Sequence, residues 1–272
     1  MEWGCGGRQV GAGTIPVWNR RRGGPSASRG VRAHTVRAGS GSLPYEGGLH
    51  PCGQAVAYWS YENLVHTLID SKADVNATGG TYGTALIDAA IFSRDNLVDI
   101  LLKHGADINA QSEEHDTALI AAATAGYNDA ADMLILAGAD INIKGGPSHT
   151  TALIAGSEKL PLRSMELLLE KGANVNEVDD TGKTALFSAA LSGDAPSVQL
   201  LLDHGADVMA KGGDMNNVLQ NAAKSGNVDC VKLILEKGVH VNILGGYYET
   251  ALQAAAASGN DECVAWLLVT PK

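Results

Sequence analysis

The 272-residue chain is poor in aromatic side chains and cysteine, and it has no long apolar run. Aromatics make up 5% of it, and Phe92 and Phe187 are the whole phenylalanine complement, so a core must be built from Ala, Leu, Val and Ile. That favours closely packed helices over a β-sandwich, whose strands enrich aromatic and β-branched residues. Four cysteines, Cys5, Cys52, Cys230 and Cys263, show neither CxxC spacing nor histidines at ligand intervals. Neither a zinc site nor a disulfide framework is expected, which suits a reducing compartment. No stretch approaches the roughly 18 apolar residues of a membrane span, and the N-terminus lacks the apolar core of a signal peptide. A soluble, unexported chain with no membrane partner is expected, cytoplasmic first and nuclear as the alternative.

The formal charge of −10 conceals a division. Residues 1–50 carry seven arginines, no lysine and two acids, a net of +5, and the remainder carries 13 basic and 28 acidic residues, a net of −15. The same fifty residues hold 12 of the 33 glycines and show no helical or alternating apolar period. Such a segment buries too little apolar surface to offset backbone ordering entropy and reads as disordered. Its Arg20–Arg22 run lacks interleaved aromatics and makes a weak phosphate-binding device, so nucleic acid is not the expected partner.

A repeat organises the rest. Gly105-Ala106-Asp107-Ile108-Asn109 recurs as Gly138-Ala139-Asp140-Ile141-Asn142, Gly172-Ala173-Asn174-Val175-Asn176, Gly205-Ala206-Asp207-Val208-Met209 and Gly238-Val239-His240-Val241-Asn242, at glycine intervals of 33, 34, 33 and 33. A second phrase keeps step: Thr84-Ala85-Leu86, then Thr117, Thr151, Thr184, Asn217 and Thr250 heading the equivalent triplets. Each unit reads as a helical hairpin. Thr84 is placed to cap a first helix whose Leu86, Ala89 and Ala90 share one face. In four of six units that helix ends at a glycine (Gly126, Gly193, Gly226 or Gly259), the residue suited to a left-handed C-cap. A second helix carries paired leucines such as Leu201-Leu202, stops at the glycine of the closing phrase, and is followed by a polar finger.

These phrases closely resemble the ankyrin repeat family over about residues 51–272. The resemblance implies an all-α solenoid of stacked helix-turn-helix units with projecting β-turn fingers. A degenerate capping unit would span 51–78, followed by repeats at 79–111, 112–145, 146–178, 179–211, 212–244 and 245–272. The Gly79–Leu86 wording is similar to arrays of fungal multi-repeat ankyrin proteins. The family's Thr-Pro-Leu-His is replaced by Thr-Ala-Leu followed by Ile87, Ile120, Ile154, Phe187 or Gln253, which removes the histidine hydrogen bonds between fingers and brings stiffness between repeats into question. The third unit departs furthest: Gly156-Ser157 replaces an Ala-Ala pair, Leu160-Pro161 stands where Gly-x is expected, and its finger has one extra residue. A local bend or low-stability seam is expected there. The last unit ends on Leu267-Leu268-Val269 without a closing phrase or polar cap, the expectation for an array cut from a longer one.

No motif carries catalysis. The Gly-Gly pairs of the fingers lack the Gly-Lys-Ser/Thr of a phosphate-binding loop, and His115 and His149 stand on successive fingers, too far apart to share a metal. Cys230 and Cys263 occupy one repeat position and read as small buried apolar residues. Glu113, Glu114 and Asp116 on the second finger are exposed turn carboxylates without the burial that tunes a general acid, although they can steer a basic partner. The resemblance implies a non-catalytic protein-binding scaffold without cofactor or metal, using the concave face and finger tips. Its variable contact positions fall here on Thr81, Phe92, Glu113, Glu114, Asp116, Lys159, Asp180, Lys183, Asp214, Asn216, Lys224, Tyr247 and Glu249. Phe92 and Tyr247 are the anchor candidates, packing between fingers being the other reading of both. The alternative function is a sensor or regulatory array detached from a larger signalling NTPase or kinase. A monomer is expected unless the uncapped end self-associates.

Overall fold

The computed structural model describes residues 14–18, 33–37, 62–79, 82–112, 116–212 and 216–269. The chain divides into two compact units, residues 1–48 and 49–272. In the first, within the segment read as disordered, strand β1 (Thr14–Trp18) pairs antiparallel with β2 (Ala33–Arg37), Thr14 opposite Arg37 and Ile15 opposite Val36.

The second unit is the solenoid. Among the described residues a helix α1 (Glu62–Asp70) precedes six hairpins. Their first helices are α2 (Ala85–Ile91), α4 (Ala118–Ala125), α6 (Ala152–Gly156), α8 (Ala185–Ser192), α10 (Val218–Ser225) and α12 (Ala251–Ala257). Their second helices are α3 (Asp95–Lys103), α5 (Asn128–Leu136), α7 (Leu162–Glu170), α9 (Ala195–Asp203), α11 (Val228–Glu236) and α13 (Asp261–Val269). First helices pack on first helices and second on second, giving two layers with one continuous core between them. Between the fourth and fifth hairpins the finger closes as a two-residue ladder, β3 (Lys211–Gly212) with β4 (Asn216–Asn217).

Local chemistry explains each hairpin. Every first helix opens on a side-chain cap. Thr84, Thr117, Thr151, Thr184 and Thr250 each accept the backbone N–H three residues on, at 3.2–3.4 Å. Asn217 does the same for Gln220 at 2.9 Å, while the Gln220 side chain accepts the Asn217 N–H in return. Gly126, Gly193 and Gly226 close their helices with φ of 80°, 75° and 85°, a left-handed region costly for any residue with a Cβ. The leucines two residues after the caps, Leu86, Leu119, Leu153, Leu186 and Leu219, are buried, as are Leu101, Leu134, Leu168, Leu201 and Ile234 on the second helices. Cys230 and Cys263 are buried free thiols, and burial pushes Cys230 up to about 11, so it acts as a small apolar side chain.

The third hairpin is the irregular one. Helix α6 has five residues where the other first helices have seven or eight. Leu160 turns back into the core against Gly156, where a Cβ would stand 2.5 Å from the leucine Cδ1. The missing side chain at Gly156 thus makes room for the leucine that replaces the lost turn of helix.

The units are also tied together by asparagines of the closing phrase. Asn76 donates to the Gly105 carbonyl at 3.0 Å and accepts the Asp107 N–H at 2.6 Å. Asn142 repeats both bonds to Gly172 and Asn174, and Asn176 repeats them to Gly205 and Asp207. Asn109 accepts the Asp140 N–H at 2.9 Å. Unit-to-unit bonds are thus made at the base of the fingers, where the family's histidines are absent. Met209 occupies the fifth such position and carries no amide, so the ladder stops between the fourth and fifth hairpins.

Candidate functional site

The surface that carries the candidate contacts is formed by the fingers and the C-terminal ends of the first helices. Thr81, Glu113, Glu114 and Asp214 lie outside the described residues, and for Asn216 only the backbone, in β4, is described. The remaining eight fall on that surface but differ in what they already hold.

The two aromatic anchors separate. Phe92, directly after α2, is half-buried and meets Tyr82 of its own finger edge to face, with ring centres 5.6 Å apart. Tyr247 is 81% exposed, edge to face with Tyr248 at 5.1 Å, and Lys224 places its ammonium 5.8 Å from the centre of the Tyr248 ring. Tyr247, Tyr248 and Lys224 form an aromatic and cationic patch at the sixth finger, beside the exposed Glu249. An exposed ring fixed by a neighbouring ring presents apolar area at small entropic cost.

Three charged candidates have structural employment that spacing alone did not disclose. Asp116 lies against the next finger so closely that a Cβ on Gly146 would come 2.1 Å from its Oδ1, which explains that finger glycine. The Lys159 stem passes over Gly126, and its ammonium donates to the Thr124 carbonyl at 2.7 Å, satisfying a terminal carbonyl of α4. Asp180 pairs with His149 of the preceding finger at 2.6 Å, and its N–H donates to the Ser148 carbonyl at 2.9 Å. Both side chains of that pair are mostly exposed, so the contact orients the two fingers more than it stabilises them.

Where α6 is short, a groove of about 220 Å³ opens between the third and fourth fingers. Its lining combines Ser148, Thr150, Glu158, Lys159, Asp179, Lys183 and Ser188 around an apolar floor of Ile154 and Ala155. Lys183 is half-buried there. A second depression, near Glu62 and Arg94 at the start of α3, touches none of the candidates.

One buried charge was not anticipated. Asp88 on α2 is 1% exposed, one of its carboxylate oxygens has no hydrogen-bond partner, and burial raises its pKa to about 7. The same position is Ala121, Ala155, Ser188, Asn221 and Ala254 in later units. Among the described residues no group of side chains is arranged to hold a metal ion, and no helix is long and apolar enough to cross a membrane.

The tandem hairpins, capped alike and stacked in two layers, define a helical repeat scaffold. The family model of ankyrin repeats (3 copies) matches residues 53–145, 146–212 and 208–272, and the chain belongs to that family. No curated protein matches it at a significant level. Among solved structures, it is similar to a chain of the "Bd0816 Predatory Endopeptidase from Bdellovibrio bacteriovorus in complex with immunity protein Bd3460". That similarity is 27% in sequence, covers 69% of this chain and 98% of the other, and has a TM-score of 0.62.

Proposed function

We propose that the chain is a non-catalytic scaffold that binds a protein of basic character along its fingers and first-helix ends. The observation that carries this reading is a division of labour within each hairpin. Cap, core and closing-phrase positions recur from unit to unit, whereas the position seven residues after the cap is Ile91, Thr124, Glu158, Leu191, Lys224 and Ala257 in turn and is at least partly open in each, and the fingers carry side chains as unlike as Asp180 and Tyr247. A repeated scaffold with a varied exposed surface is how solenoids bind partners. The net −15 of residues 51–272 supports attraction of a basic partner, and the likeness to a chain from a peptidase–immunity protein complex supports a protein as the bound species.

Affinity capture with the intact chain and two variants tests the reading. Glu113→Lys with Glu114→Lys reverses the charge of the second finger, and Tyr247→Ala removes the open anchor. Asp116 is left unchanged because its carboxylate packs on Gly146. Both variants should retain less of the captured protein, the charge variant more so at low salt. Capture that neither variant alters would remove this surface as the binding face.

A further inference from the structure

The groove beside α6 holds a cation without an assigned counter-charge. Lys183 is half-buried, yet its ammonium makes no ion pair or hydrogen bond within the described structure. No carboxylate of the groove stands within ion-pair distance of it. Lys159 gives its ammonium to the Thr124 carbonyl. Asp179 takes the Thr181 N–H, the Thr181 hydroxyl and the Lys183 N–H on a single oxygen, at 2.8, 2.7 and 3.0 Å. Glu158, at the groove edge, is exposed and solvated. A carboxylate arriving from outside would supply the charge-assisted hydrogen bond that the groove itself does not.

The lysine is also held ready. The Asp179 turn fixes its backbone from one side, and Asp180 ties that turn to the Ser148 carbonyl. From the other side Gly212 packs so closely that a Cβ there would stand 3.1 Å from the Lys183 Cα. Ser188, 3% exposed, lines the groove with a hydroxyl that has no hydrogen-bond partner among the described residues, and Thr150 lines it too. Preorganised donors around an uncommitted ammonium favour an acceptor of negative charge.

We propose that this groove receives an acidic side chain of the partner, its carboxylate paired with the Lys183 ammonium and hydrogen-bonded by the Ser188 hydroxyl. The inference rests on the protein-binding reading above and refines it: the acidic array draws in a partner of net positive charge, and the groove selects partners that present a carboxylate within that basic segment. Steering and specificity are then assigned to different residues.

Blocked pentapeptides provide the test, with binding to the isotope-labelled intact chain followed by amide chemical shifts. One peptide is Lys-Ser-Glu-Ser-Lys and the other replaces its Glu by Gln. Non-specific attraction to an acidic surface predicts that the Gln peptide, with more positive charge, binds more tightly. Recognition at Lys183 predicts the reverse, by about tenfold, as for one charge-assisted hydrogen bond, with shifts centred on Thr150, Lys183 and Ser188. The margin should vanish in Lys183→Met, persist in Lys183→Arg and be unchanged in Lys103→Met, whose ammonium pairs with Asp99 on α3. Equal or tighter binding of the Gln peptide, or a Glu preference that survives Lys183→Met, overturns the proposal. If both peptides bind the fingers equally, only the groove assignment falls. If neither perturbs any finger amide, the basic-partner reading falls with it.

Discussion

Leu202 and Leu268 hold the same place on the second helices of the fourth and sixth hairpins, and they are 6% and 66% exposed. Ile120 and Gln253 differ in the same way after their caps, one buried and the other open, as do Ala123 and Ala256 at the end of the first helix. Each inner hairpin lends its neighbour the surface that buries these positions, and the last described hairpin has no such neighbour. Local structure in this solenoid is thus a property of one unit, whereas burial is a property of two.

The largest effect tests that statement directly. Leu202→Ala should cost about 2–5 kcal/mol, as for a filled core position, while Leu268→Ala should cost under about 0.5 kcal/mol as a surface change. Urea denaturation of both variants measures the contrast, and equal losses would show that the end face is as buried in solution as the inner ones. Gly156→Ala comes next, at about 1–3 kcal/mol, because the added Cβ overlaps Leu160. Gly105→Ala, where a Cβ meets nothing within 4 Å, separates steric overlap from its own φ strain of the left-handed region.

Asp88 compares the first hairpin with the fifth, where Asn221 fills the same buried position and donates to the Phe187 carbonyl at 3.4 Å. A carboxyl raised to about 7 binds its proton more tightly in the folded chain than in the unfolded one. Its contribution to stability is therefore complete below the ordinary aspartate value of 3.8 and is lost as pH rises through about 7. Asp88→Asn should stabilise the chain by about 1–3 kcal/mol at pH 8, the penalty of a buried unsatisfied group. It should change little at pH 3.5, where the wild-type carboxyl is already neutral. Melting temperatures across that range check both the sign and the window. The smallest effect is a gain: Met209→Asn restores the amide at the broken rung and should add about 1 kcal/mol, with slower amide exchange around Gly238. No gain would mean that the seam between the fourth and fifth hairpins is set by packing alone.

Much of the fold was legible because it is written in short range. A threonine three residues ahead of an N–H, a glycine where φ must be positive and leucines at one helical face are all local signals, and five threonine caps plus Asn217 appear where the spacing put them. The asparagine ladder was equally visible as a recurring letter, at 76, 109, 142 and 176, but its bonds span 29 to 32 residues and needed the stacking to show their targets. The candidate surface was legible as a set of positions and illegible as a set of roles. Asp116 and Lys159 act on neighbouring units through Gly146 and Thr124, whereas the Lys183 ammonium pairs with nothing among the described residues and Tyr247 stays exposed, and nothing in a single repeat distinguishes the two kinds.

The sequence by itself determined the family, the period, the hairpin and its caps, because each depends on residues within one turn or one unit. Tertiary structure decided which of the varied positions remain free to meet a partner, where the shortened third hairpin opens a groove, and which equivalent leucine is core. The physical reason is that desolvation and pairing are set by atoms one repeat away, and contact across that distance exists only once the units have stacked.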